Sequence, residues 1–119
     1  MLYVLPDSAG DILVVQATQS LTQDDYQTTL IEQIKKQLKP GHQLRVMLYL
    51  DHALTDIDRH SNWQPDTFFK HCDATILRMA IVSDTQWQEW ANKFESKVVS
   101  HFPVSKFLEA LHWLDESDI

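Results

Sequence analysis

Leu44-Arg-Val-Met-Leu-Tyr-Leu50 is apolar throughout except for Arg45. Such a run, without hydrophobic-polar alternation, reads as a strand covered on both faces of a sheet. Working outward, three further runs are of the same kind: Ile12–Ala17, Ile76–Val82 and Val98–Phe102. Between and after them lie Asp24–Lys39, Trp63–His71, Thr85–Glu95 and Ser105–Leu114, whose apolar residues recur at helical spacing. Strands alternating with helices of this length build parallel βαβ units. Leu2–Leu5 adds a short first strand, stopped by Pro6 and the turn-forming Asp7-Ser-Ala-Gly10. So short a connection to Ile12 pairs the two as an antiparallel hairpin at one edge. The expected fold is therefore α/β: a (βα)n sheet, mostly parallel, with an antiparallel N-terminal edge strand and about four helices. It forms one domain over residues 1–119.

The first helix is the most clearly marked element. Thr22 is placed to cap it, Asp24 and Asp25 suit the positive end of its dipole, and Lys35, Lys36 and Lys39 suit the negative end. Tyr26, Leu30, Ile34 and Leu38 recur every four residues, Ile31 widens the stripe, and Pro40-Gly41 ends it. Asp51–His60 reads as a polar connection. Pro65 fits the first turn of an aromatic second helix. Ser83 reads as the cap, or a neighbour of the cap, of a third helix on which Trp87, Trp90, Ala91 and Phe94 share a face. The last helix turns Phe107, Ala110, Leu111 and Leu114 inward, and Asp115, Glu116 and Asp118 stop it near Leu114.

Seventeen acidic residues against ten basic leave a net charge of -7. This surface repels phosphate backbones, so no nucleic-acid partner is expected. Electrostatic docking on anionic lipid is disfavoured too, although hydrophobic insertion is not. Cys72 is the single cysteine, which forbids an intrachain disulfide and suits a reducing compartment. Met1–Pro6 has neither the basic nor the long apolar segment of a signal peptide, and no run is long enough to span a bilayer. The expected location is cytoplasmic.

Leu21-Thr-Gln-Asp-Asp-Tyr26, Val46-Met-Leu-Tyr-Leu-Asp51, Arg78-Met-Ala-Ile-Val-Ser-Asp-Thr-Gln-Trp87 and the ending Phe102-Pro103…Phe107…Ala110…Trp113-Leu114 occur here in an order that resembles the SpoIIAA-like (STAS-like) family of small bacterial proteins. The resemblance covers nearly the whole chain. It implies a mixed-sheet α/β domain similar to anti-sigma factor antagonists and to lipid-carrying CRAL-TRIO domains, in a branch whose members are mostly uncharacterised. In the antagonists a phosphorylatable Ser directly follows an Asp after the third strand. Here Asp51 is followed by His52, and Thr55 and Ser61 are out of place, so partner switching by phosphorylation does not carry over. Ser61 is a displaced alternative, since phosphate suits a helix start.

The densest polar constellation is Asp51, His52, Asp56, Asp58, Arg59 and His60, beyond the carboxyl end of a parallel strand, where α/β ligands gather. Imidazoles and carboxylates can bind metal, but paired ligands on one face are lacking, and Leu54 and Ile57 interrupt the acids as in a solvated loop. Cys72 adjoins His71 in sequence, yet neighbours on a helix point apart, and Cys72 reads as a small buried hydrophobe. Neither Gly10 nor Gly41 opens a phosphate loop. His42, His101 and His112 read as isolated in sequence, with surface or structural roles. No catalytic residue, metal or cofactor is expected.

The aromatic residues carry more. Trp87 and Phe94 suit the core. Consecutive Phe68 and Phe69 cannot both be buried by one helix face, so one of them, or Trp63, lines a pocket or lies on the surface. Trp113 stands off the inward stripe of its helix and is a candidate for contact with a partner. The expected ligand site is Trp63, Phe68, Phe69, Trp87 and Trp90, in a pocket between the second and third helices floored by Leu44–Leu50 and Ile76–Val82. The leading reading is a non-enzymatic binding or regulatory domain for an apolar small molecule or lipid, or for peripheral membrane contact. The alternatives are a protein–protein partner switch and an enzyme using the His52/His60 acidic loop. A homodimer covering Trp113 or Phe69 is a further expectation.

Overall fold

The computed structural model describes residues 1–6, 8, 11–57, 75–94, 96 and 98–115. Five strands form one sheet: β1 (Leu2–Val4), β2 (Ile12–Leu21), β3 (Leu44–Ile57), β4 (Ile76–Ser83) and β5 (Val99–Pro103), in spatial order β1-β2-β3-β4-β5. β1 pairs antiparallel with β2, and every other pairing is parallel. This is the mixed sheet expected from the alternation, with its antiparallel strand at the N-terminal edge.

Three helices are present among the described residues. Helix α1 begins with a π-helical segment, Asp25–Ile31, and continues as α-helix over Glu32–Gln37. Its apolar residues four apart drift around an ordinary α-helix; the wider π winding keeps Tyr26 and Leu30 in line over the sheet. The Thr22 hydroxyl accepts from the Asp25 amide, while the Asp25 carboxylate accepts from the Thr22 amide, which is a reciprocal capping box. Helix α1 ends at Gln37 rather than Lys39, because Leu38 is already extended, with ψ 123. Gly41 follows at φ 79, a conformation that favours glycine.

Helix α2 opens with a 3₁₀ turn, Thr85–Trp87, and continues over Gln88–Asn92. Its cap is Asp84, whose carboxylate accepts from the Gln86 amide; Ser83 is the neighbour, fully buried at the end of β4. Helix α3 likewise starts as a 3₁₀ turn, Val104–Lys106, and runs through Phe107–Asp115, slightly beyond the expected stop at Leu114. The expected helix at Trp63–His71 lies outside the described residues.

β3 departs most from expectation. It does not end at Leu50 but continues to Ile57, so Asp51–Ile57 is strand, not a polar loop. It stays paired with β2 through two bulges. Ala17 to Gln19 on β2 faces Leu50 to Leu54 on β3, and Gln19 to Ser20 faces Leu54 to Asp56. Gln19 takes φ 60 there, and Thr55 Oγ1 donates to its carbonyl at 2.8 Å. Leu54 and Ile57 are buried as a result.

Sequential parallel strands joined by right-handed crossovers bring their helices to one face. Helices α1 and α2 do share a face, over a large core that includes Leu13, Val15, Val46, Leu48, Met79 and Ile81, with Tyr26, Leu30, Ala91 and Phe94 packed onto it. The other face carries a smaller core, Val14, Met47, Ala80 and Val82, closed by Ala110 and Leu114 of α3.

Candidate functional site

Helices α1 and α2 meet above the centre of the large core, and the junction is imperfectly filled. Leu30 and Ile34 from α1, Val46 and Leu48 from β3, Met79 from β4, and Trp90 and Phe94 from the α2 segment enclose a cavity of about 10 Å³. That is roughly the space of one water molecule, but the lining is wholly apolar, so a water there finds no hydrogen-bond partner. Trp90 and Phe94 pack with ring centroids 4.6 Å apart at 53°. Phe94 is buried, as expected, whereas Trp90 is half-buried and forms part of the wall. Trp87, also half-buried, is anchored by its indole N–H, which donates to the Leu54 carbonyl at 3.3 Å. That acceptor exists only because β3 continues past Leu50.

Two of the five residues expected at the ligand site, Trp87 and Trp90, are thus brought onto one helix above the expected floor. Trp63, Phe68 and Phe69 lie outside the described residues. Among the described residues, the wall facing Trp90 comes from α1, through Leu30 and Ile34. Those two were legible as an inward stripe, but a stripe does not disclose which other helix it meets.

A second, polar region forms midway along β2 and β3, beside the carboxyl end of β4. Gln16, Tyr49 and Asp51 occupy one sheet face, and the Gln16 side-chain amide donates to the Asp51 carboxylate. Tyr49 packs against Phe107 at 5.3 Å between centroids. Its hydroxyl holds its proton to higher pH than usual, first because of burial and then because of the nearby Asp51 and Asp84 carboxylates. Asp51 Oδ1 accepts from the Ala53 amide at 3.1 Å and from His52 Nδ1 at 2.8 Å. The His52 ring itself is 90% exposed. Among the described residues, no three His, Cys, Asp or Glu side chains converge as metal ligands do. Asp58, Arg59, His60, Ser61, His71 and Cys72 lie outside the described residues.

His101 has a structural role, as the sequence reading allows, through a partner that the sequence does not reveal. Its Nε2 lies 2.8 Å from Ser83 Oγ, which also donates to the Asp84 carbonyl at 3.0 Å. Ser83 is fully buried, so this pair ties β4 to β5 beneath the α2 cap rather than presenting a nucleophile. Trp113, half-buried, has contacts within the chain as well. It packs on Phe102 at 5.7 Å, the Arg78 guanidinium lies 5.0 Å from its ring centroid, and Arg78 Nη1 donates to its carbonyl at 2.7 Å. No helix among the described residues is long and apolar enough to cross a membrane.

The model of the SpoIIAA-like family matches residues 12–115. Among solved structures, the chain is similar to an uncharacterised protein with a SpoIIAA-like fold from Shewanella loihica PV-4. The two share 23% sequence identity with a TM-score of 0.63, over 95% of this chain and 93% of the other. At that identity the likeness concerns the fold. Among curated proteins, none matches.

Proposed function

Because the chain belongs to the SpoIIAA-like family, we propose that it is a non-catalytic binding or regulatory domain whose ligand is apolar and enters between α1 and α2. The observation that carries this reading is the cavity walled by Leu30, Ile34, Trp90 and Phe94 and floored by Val46, Leu48 and Met79, without one polar group in its lining. At about 10 Å³ it is the closed form of the site, and a ligand gains entry by displacing the half-buried Trp90. A lipid-like chain suits such a lining better than any polar metabolite, because each buried methylene gains about 0.8 kcal/mol and no polar partner is offered. Trp87, three residues before Trp90, keeps its place through Leu54. The single Cys72 fits work in the reducing cytoplasm.

Oleate titration followed by tryptophan fluorescence, together with mass spectrometry of solvent-extracted protein, tests the reading. Saturable binding is expected, weakened about tenfold or more in Trp90→Ala, because an aromatic wall contributes on the order of 1.5 kcal/mol or more of contact. Neither co-purified lipid, nor saturable binding, nor flotation with phosphatidylcholine vesicles is the outcome that defeats it.

A further inference from the structure

The two edges of the sheet are built differently. β5 ends in Pro103, which has no N–H to offer a neighbouring strand. β1 is Leu-Tyr-Val; its shortness is the one protective device it has, and it carries no charge, no proline and no bulge. Its outward backbone groups can be assigned. Met1 and Thr18 exchange hydrogen bonds, and the Leu5 amide donates to the Val14 carbonyl. Antiparallel pairs alternate between bonded and non-bonded, so Tyr3 turns its N–H and C=O toward β2, and Leu2 and Val4 turn theirs away. Among the described residues nothing pairs with those four outward groups, while Tyr3 and Val4 stand 45% and 40% exposed.

We propose that β1 is a homodimer interface: two copies pair their β1 strands antiparallel about a two-fold axis at Tyr3, making one continuous sheet of ten strands. The register is self-complementary. Leu2 faces Val4 of the second copy as a bonded pair, Val4 faces Leu2 likewise, and the two Tyr3 side chains meet in the closer non-bonded pair on one face. All four outward groups of each copy are thereby satisfied.

Charge selects a second copy as the occupant. Helix α1 runs parallel to β1. At one end the Met1 ammonium lies 3.4 Å from Asp25, and at the other Gln33, Lys36 and Gln37 flank a groove against Val4, Leu5 and Pro6. Antiparallel pairing of β1 therefore sets the start of one α1, where Asp24 adds negative charge beyond the Met1–Asp25 pair, beside the basic last turn of the other, with Lys35 and Lys36. A foreign strand satisfies the backbone equally but has no reason to bring this matching pair of helix ends. The chain's net charge of -7 opposes association generally, so the attraction has to be local, as it is here.

Light scattering of the full chain from low micromolar to millimolar concentration provides the test. A mass rising to twice that of the chain is expected. Val4→Pro removes only an outward N–H, and Tyr3→Lys sets two like charges face to face; each is expected to weaken dimerisation by about tenfold or more. Circular dichroism checks that both remain folded. Tyr3→Cys in a Cys72→Ser background is expected to form an intermolecular disulfide on mild oxidation, since non-bonded pairs bring Cα atoms to about 4.5 Å. A monomer at every concentration overturns the proposal. So does a dimer that ignores both edge variants and resists cross-linking at Tyr3. Oleate binding by Trp90 is measured separately, and either result stands without the other.

Discussion

Tyr49 stands where the smaller core meets the polar pair Gln16 and Asp51, and its surroundings all push its hydroxyl in one direction. Burial comes first; Asp51 and Asp84 then repel the phenolate. The folded chain therefore keeps this proton to a higher pH than the unfolded chain. Stability from this residue is complete below the ordinary tyrosine value of about 10 and is lost as pH rises from there through the raised folded value. Urea titrations from neutral pH to above pH 10 are expected to show wild type losing more stability over that interval than Tyr49→Phe. Equal slopes for the two proteins refute the assignment. The residue scale also supplies contacts that the sequence does not show. His101 and Trp113 looked unattached only because their partners, Ser83, Phe102 and Arg78, are remote along the chain or on other strands.

Among the elements, the β2–β3 ladder is the least regular and the most consequential. Its bulges extend β3 by a further seven residues beyond Leu50, to Ile57, bury Leu54, and so supply the carbonyl that anchors Trp87. Gln19 bears the backbone cost at φ 60, while the Thr55 hydroxyl holds its carbonyl and not its side chain. A residue without Cβ is at ease there, and a β-branched one is not. Gln19→Gly is accordingly expected to be neutral or stabilising by up to about 1 kcal/mol, and Gln19→Val destabilising by about 1–2 kcal/mol. The urea midpoint at unchanged slope measures both. If valine proves as stable as glycine, the left-handed geometry at this bulge is wrong.

For the molecule as a whole, the asymmetry of the two faces is the main feature. One face is covered by α1 and α2 over a core of many large side chains, and the other rests on α3 through Ala110 and Leu114. A helix seated on so few fully buried residues depends on its anchor, which is Arg78 donating to the Trp113 carbonyl under the indole ring. Hydrogen bonds from charged groups contribute about 1.5–3 kcal/mol. Arg78→Met is therefore expected to lower amide-exchange protection across Phe107–Asp115 by roughly tenfold or more, leaving β2, β3 and β4 nearly unchanged. A uniform loss throughout the sheet shows instead that Arg78 supports global stability. The exposed side of α3, where Leu108 is 70% accessible, is consistent with a lightly held cover.

Local pattern was enough for the alternation of strand and helix, the antiparallel first strand, the Thr22 cap and the inward residues Tyr26, Leu30, Ile34, Ala110 and Leu114. Each depends on periodicity or on neighbours a few residues away, and these are properties of the chain itself. The continuation of β3 was not legible, because Leu54 and Ile57 are three apart and match neither strand alternation nor a full helical stripe; bulges opposite β2 make that spacing a strand. The cavity wall was hidden for a related reason: whether Leu30 faces Trp90 depends on how two helices land side by side on a shared face. Strand register and helix adjacency arise from pairings between distant segments, and only the tertiary structure decides those.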